Sequence, residues 1–375
     1  MDSEIAFVNY FEPLIPQENK SDVFVNTPEK IYESKRYKDI NHLFYFHSLR
    51  PIIEENPFFE DNDYGFDFAS NNKLNTLISS FGYRYNNALG RSSYKASVSY
   101  QKYYPRVALN YENRARLAFT RLINGQDTII TAFQWRENLT SLNVGIPYFK
   151  NWLNKNFSSS FNIETSYTSR YQATLRPSNF ANKIAFPLTY QVFVGLNSAT
   201  SQRDLAPKWG QNIRLSFEHI PFDTNLSGDN LVFRSQFYFP GFARNHSLQA
   251  SYNFQTNSGI YNFGDDIPRA SGFANLNPIL NLSNTLLLDY RFPIFYPDLE
   301  VGALAYITRL KGGFFADFEN LDGGNGLRSY GAELRADMNL LRFFLPSFDL
   351  GGKIIIPTEN STKNPIFEFS LNFSF

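Results

Sequence analysis

The last nine residues alternate strictly. Phe367, Phe369, Leu371, Phe373 and Phe375 fall on one face of an extended strand, and Glu368, Ser370, Asn372 and Ser374 on the other. A period of two marks a β-strand whose faces meet different surroundings. The same rule recurs upstream. Phe81, Tyr83 and Tyr85 alternate with Gly82, Arg84 and Asn86, and Tyr94, Ala96, Val98 and Tyr100 with Lys95, Ser97, Ser99 and Gln101. Ile213, Leu215 and Phe217 oppose Arg214, Ser216 and Glu218. Leu231, Phe233, Phe237 and Phe239 face away from Arg234, Gln236 and Tyr238, while Tyr252 and Phe254 oppose Ser251, Asn253 and Gln255. Tyr330, Ala332, Leu334, Ala336 and Met338 oppose Ser329, Gly331, Glu333, Arg335 and Asp337.

Counted back from the end, the pattern predicts strands at 366–375, 347–356, 327–340, 309–319, 281–293, 246–262, 229–240 and 210–222. It continues with 183–196, 156–171, 140–149, 127–138, 106–118, 92–104, 74–86 and 63–71, sixteen in all. A soluble β-sandwich also alternates, but it turns its polar face to water and its apolar face to a partner sheet. Here the polar faces carry both signs of charge among Ser and Asn, and the apolar faces are aromatic. That is the inside-out order of a barrel with a polar lumen and a lipid-facing exterior.

Composition supports this order. Aromatic residues make up 17% of the 375, with 39 Phe and 23 Tyr, yet the mean hydropathy is −0.35. So many rings beside so much polar residue need a second apolar environment besides a core. No run approaches the roughly 18 apolar residues of a spanning helix. The expected fold is therefore all-β, a transmembrane antiparallel β-barrel of about sixteen strands over 63–375. A short periplasmic lead-in is expected over 1–62, where Glu29, Lys30, Glu33, Lys35, Arg36, Lys38 and Asp39 cluster. With both barrel ends in the periplasm, 150–155, 197–209, 241–245 and 341–346 fall on that side. The segments 263–280 and 320–326 fall on the outer side. No secretory leader is visible at Met1–Glu4, so a longer precursor or a processed form is expected.

Charge and cysteine narrow the functions. The formal charge is zero, from 35 basic and 35 acidic residues, so nucleic acid is not expected as a partner. Cys is absent, which excludes disulfides and thiolate metal sites. The four His residues, His42, His47, His219 and His246, show no metal spacing. His246 and Ser247 are adjacent and point to opposite faces of a strand, so they do not form a lipase pair. The run Asp317–Gly326 partly matches a calcium loop but lacks its distal Glu. No P-loop or dinucleotide fingerprint is present. No catalytic residue, metal or cofactor is expected, and the protein is not expected to be an enzyme.

Four features in the last hundred or so residues, taken in order, resemble the C-terminal barrel of the Omp85 superfamily, the bacterial surface antigen (D15) domain of BamA-like assembly factors. The first is Ile267-Pro268-Arg269-Ala270-Ser271-Gly272-Phe273, ahead of a strand ending Asp289-Tyr290-Arg291-Phe292-Pro293. The second is Gly313-Phe314-Phe315-Ala316-Asp317-Phe318, and the third Leu327-Arg328-Ser329-Tyr330-Gly331-Ala332-Glu333-Leu334-Arg335. The step from Pro346 to Gly351 and the aromatic terminal strand follow. In the family Arg directly precedes Gly in the loop, whereas Ala270 and Ser271 intervene here. The stretch Tyr37–Pro51 is similar to the lead-in of barrels fused behind a periplasmic β-propeller.

The resemblance implies a loop carrying Arg269, Gly272 and Phe273 that folds into the lumen, where Arg269 reaches Asp317 with Glu333 as a second acceptor. The alternative is that Asp317 pairs with Arg335 or Arg328. It also implies that Phe367, Phe369, Leu371, Phe373 and Phe375 form an assembly signal read by β-augmentation, with plain lipid contact as the alternative. Gly313, Gly331, Gly351 and Gly352 admit a looser first–last seam or simple barrel curvature.

The implied function is insertion, assembly or translocation of proteins at the outer membrane of a diderm bacterium. Expected partners are outer-membrane lipid and lipopolysaccharide, client outer-membrane proteins, and periplasmic or lipoprotein accessory subunits. A passive channel or porin, or a membrane anchor for a periplasmic β-propeller, are the other readings.

Overall fold

The computed structural model describes residues 33, 36, 38, 44–55, 62–86, 90–124, 127–177, 180–201, 203–261, 263–264, 266–273, 282–321, 326–340, 347–358 and 364–374. Residues 43–375 form one compact unit. Its early strands are β1 (Phe46–Glu55), β2 (Asn62–Asn71), β3 (Leu77–Asn86), β4 (Arg91–Tyr100), β5 (Arg106–Asn124) and β6 (Asp127–Trp152). The middle strands are β7 (Lys155–Tyr171), β8 (Lys183–Ser198), β9 (Gly210–His219), β10 (Gly228–Pro240) and β11 (Ser247–Gly259). The late strands are β12 (Asn284–Phe295), β13 (Leu299–Val301), β14 (Ala305–Glu319), β15 (Arg328–Leu340), β16 (Ser347–Pro357) and β17 (Ile366–Ser374).

Successive strands pair antiparallel throughout, from Ile53↔Tyr64 between β1 and β2 to Ile354↔Phe367 between β16 and β17. β12 and β13 both pair with β14, so together they occupy one row. Seventeen strands therefore make the sixteen rows of an antiparallel barrel. Rows alternate in direction. The connections from β8 to β9 and from β10 to β11 thus leave from the end that holds the start of β1 and the stop of β17, and those from β11 to β12 and from β14 to β15 leave from the far end. Both pairs are grouped as the sequence predicts, while 341–346 lie outside the described residues.

The expected number of rows is right for two reasons that cancel. The predicted strands 127–138 and 140–149 are one strand, β6, of 26 residues. The expected break at Leu139 falls inside it, and Glu137 beside that position faces the lumen and is only 3% exposed. Conversely, β1 lies inside the stretch assigned to the lead-in. Its Pro51 and its charges weaken the alternation, but its register with β2 runs from Phe46↔Ser70 to Glu55↔Asn62. The hairpin of β5 and β6 stays paired out to Asn124↔Asp127. β4 pairs with β5 only to Asn113, and β7 with β6 only to Arg136. A two-stranded arm therefore stands beyond its neighbours at the far end.

The two faces divide as the alternation requires. Phe81, Leu215, Leu334 and Ile354 are exposed outside, whereas Arg84 and Asp317 are buried inside. Exposed rings repeated over so many rows exceed the apolar patches of ordinary soluble surfaces. Neighbouring rows satisfy most of the inner charge. Arg84 forks onto Asp67 at 2.7 and 3.1 Å. Glu137 takes Arg114 at 2.8 Å, Arg116 at 3.1 Å and the indole of Trp135 at 3.0 Å.

Candidate functional site

The candidate site is the segment 266–273 of the long far-end connection, seated on the inner wall. Its departure from β11 depends on Gly259, whose φ is +95° and where a Cβ would lie 2.5 Å from the Ser227 carbonyl. The chain then turns inward. Gln255 Oε1 on β11 accepts from the amides of Asp266 (2.8 Å) and Ile267 (3.3 Å). Asn230 Nδ2 on β10 donates to Asp266 Oδ2 at 2.9 Å. Ile267 packs with Val232 and Leu282 in a buried apolar cluster.

The tip of the segment reaches β14 and β16. Ala270 N donates to Glu319 Oε1 at 2.8 Å, and Ser271 N to Asp317 Oδ2 at 2.9 Å. Lys353 Nζ on β16 donates to Ser271 Oγ at 2.6 Å and lies 3.9 Å from the centre of the Phe315 ring. Gly272 has φ +82°, and a Cβ there would meet Ile355 Cγ2 at 3.0 Å. Phe273 closes the turn by donating to the Ala270 carbonyl at 3.2 Å, and its side chain is fully buried. Contacts to β10, β11, β14 and β16 from one short segment require a sheet wrapped around it.

The chemistry is that of anchoring. Asp317 and Glu319 are nearly inaccessible, and a buried carboxylate is unfavourable unless hydrogen-bonded. Successive amides of a turn that enters the left-handed region converge on an anion, and each bond to a charged acceptor contributes about 1.5–3 kcal/mol. Ser271 beside Lys353 has the composition of a hydrolytic pair. A general base would have to accept from the serine, whereas Lys353 donates to it and rests on a ring face.

The predicted site residues separate. Gly272 and Phe273 lie at the anchored tip. The Ser271 amide joins the loop to Asp317. The inserted Ala270 and Ser271 place backbone donors opposite the acids. Glu333 belongs elsewhere: Arg291 Nε donates to it at 2.8 Å and Arg335 lies 4.0 Å away. It is one rung of an inner charge ladder in which Arg335 pairs with Asp349 at 2.8 Å and Lys311 with Asp337 at 2.7 Å. Gly313 makes room for it, since a Cβ there would lie 2.8 Å from Glu333 Oε1. Gly331 likewise underlies Phe315. These two glycines seat side chains of the adjoining rows.

On the terminal strand, Phe367 and Phe369 are 73% and 74% exposed. The side chains of Leu371 and Phe373, and all of Phe375, lie outside the described residues.

A second crossing lies at the near end. The turn 199–209 passes over the β10–β11 connection, and its carbonyls at Arg203 and Asp204 accept from Tyr296 Oη (3.1 Å) and Arg309 Nη1 (3.3 Å). Ser201 N donates to Asp204 Oδ2 at 2.8 Å, and this amide holds the Asp204 carboxyl below the usual carboxylate range.

Among solved structures, the chain is similar to CdiB from Escherichia coli at 11% identity and a TM-score of 0.46, over 84% of this chain and 58% of that one. It is similar to CdiB from Acinetobacter baumannii at 12% identity and a TM-score of 0.49, over 84% and 57%. BamA from Haemophilus ducreyi lacking POTRA domains 1–3 aligns at 11% identity and a TM-score of 0.47, over 88% and 69%. The chain thus spans less than two thirds of either CdiB. No family model and no curated protein matches it in sequence.

Several anchoring residues carry no motif in the sequence. Glu319 could have been found, because it lies two residues beyond Asp317 and so shares its face. Gln255, Asn230 and Lys353 are ordinary inward polar positions of their strands. Nothing local marks them.

Proposed function

We propose that the chain is an integral outer-membrane barrel of the Omp85-like kind, non-enzymatic, that inserts, assembles or translocates proteins. The observation that carries this reading is the pair of amides at Ala270 and Ser271 seated on Glu319 and Asp317 inside the wall. A freely conducting channel does not need two buried acids to hold a segment against its inner wall. The order of late-strand motifs and the exposed aromatic exterior also support the reading. Lipid and lipopolysaccharide would contact that exterior; client barrels and periplasmic or lipoprotein subunits would be the protein partners.

In this mechanism the first and last rows are the working surface. Opening there exposes unpaired backbone, which a client strand completes by β-augmentation before release. The first row is β1, so a lock must join β1 to β17. Cysteine pairs across those strands, oxidised in proteoliposomes, are expected to abolish assembly of a client barrel and to release it on reduction. Undiminished activity in the locked barrel would sink the mechanism. In planar bilayers the wild type is expected to conduct weakly and intermittently. A large steady conductance would favour the channel reading instead.

A further inference from the structure

β9 and β10 place Arg214 and Arg234 directly opposite each other. Both lie on the polar face of their strands, and like charges in cross-strand register repel. Elsewhere on the inner wall arginines are matched: Arg84 with Asp67, Arg114 with Glu137, Arg291 with Glu333, Arg309 with Asp337. Among the described residues, neither Arg214 nor Arg234 has a carboxylate at ion-pair distance. Arg214 instead lies 5.7 Å from the centre of the Phe193 ring, which steadies the guanidinium without neutralising it.

The two arginines line a cavity of about 580 Å³ with Asn212, Gln236, Ser251 and Asn253. The anchored segment completes it, through Asp266, Ile267 and Pro268. Asp266 Oδ2 accepts from Asn230, and the Asp266 charge attracts Arg234 from beyond ion-pair distance. The volume falls within the usual range for small-molecule sites, about 300–1,000 Å³, and amide and hydroxyl groups surround the cationic pair.

We propose that this cavity binds a small molecule bearing an oxyanion, phosphate or carboxylate, held between the guanidiniums of Arg214 and Arg234. Planar guanidiniums fork onto such groups through two parallel N–H bonds. A bound oxyanion also removes the repulsion that the register creates.

The test uses the full chain folded in detergent, in chloride buffer, with inorganic phosphate and citrate as separate probes. Either probe is expected to raise the unfolding midpoint of the wild type, because binding to the folded state stabilises it. Phosphate alone acting points to a phosphorylated ligand, citrate alone to a carboxylate; both acting fits the shared chemistry. Arg214→Gln and Arg234→Gln, each made singly, are expected to weaken the effective probe about tenfold, the loss of one charge-assisted contact. Without a probe, Arg214→Gln should not unfold earlier than the wild type, since it relieves the repulsion. Lys73→Gln, in an exposed turn, should leave probe binding unchanged. The proposal is overturned if the wild type ignores both probes, or if all three variants respond as it does. Earlier unfolding of Arg214→Gln without a probe overturns it as well.

Discussion

The early rows of the wall and the far end of β14 neutralise their inner charges in different ways. In β2–β7 each buried ion is met by adjoining rows, as with Asp67 and Arg84, or Glu137 between Arg114 and Arg170. In β14 the acids Asp317 and Glu319 are met by backbone amides more than forty residues earlier in the chain, at Ser271 and Ala270. The early wall is therefore complete once its strands pair. At the far end of β14 the wall is complete only when the loop has docked, so its stability there depends on that docking.

Glu137→Ala should have the largest effect. It removes the carboxylate shared by Arg114, Arg116 and Arg170, of which Arg114 keeps Glu112, and breaking such a buried set costs about 3–5 kcal/mol. Urea unfolding in detergent should register that loss while bilayer conductance stays at the wild-type level. A steady open pore in this variant would erase the distinction between the two walls.

Asp317→Ala combined with Glu319→Ala removes both acceptors of the loop. It should cost less, about 2–4 kcal/mol, and convert weak intermittent conductance into a large steady current. Unchanged conductance would show that the segment stays docked without its acids.

Gly272→Val tests the tip alone. A β-branched residue at φ +82° with Ile355 against its Cβ should cost about 1–3 kcal/mol, with a partial rise in conductance. Full wild-type closure would show that the turn can be built another way.

The smallest effect belongs to the near end. The Asp204 carboxyl is held below its ordinary range by the Ser201 amide. Its contribution is thus present above the usual carboxylate pKa and lost as pH falls through the lowered value. Hydrogen exchange of 199–209 should quicken on such acidification in the wild type and be insensitive to it in Asp204→Ala. Equal pH response in both would remove Asp204 from the account.

Where alternation was unbroken, the sequence was enough: β3, β9, β11, β15 and β17 lie within a few residues of their expected places. It misled where polarity had two possible meanings. The expected break at Leu139 follows the polar run Arg136-Glu137-Asn138, but within β6 that run alternates like the rest, with Glu137 inward on three arginines. Pro51 and the acids of β1 read as linker, but a proline is tolerated where one edge of a strand leaves its ladder unfilled. The candidate site was legible only in part. The loop motif drew attention to Gly272, Phe273 and Asp317, and the resemblance supplied an arginine as the link. The amides that join the loop to Asp317 and Glu319 are groups that every residue but proline possesses, and they therefore leave no trace in composition.

The chain by itself determined which side chains face outward and which inward, because the two-residue period of a strand is a local property that each segment expresses alone. It also determined the number of rows, although through two offsetting readings. Tertiary structure alone decided which inward groups meet: amides on Asp317, arginines on Glu333, two arginines on each other. Those encounters depend on how far the sheet has turned before a given row is laid down, and that accumulated rotation is written in no single stretch of residues.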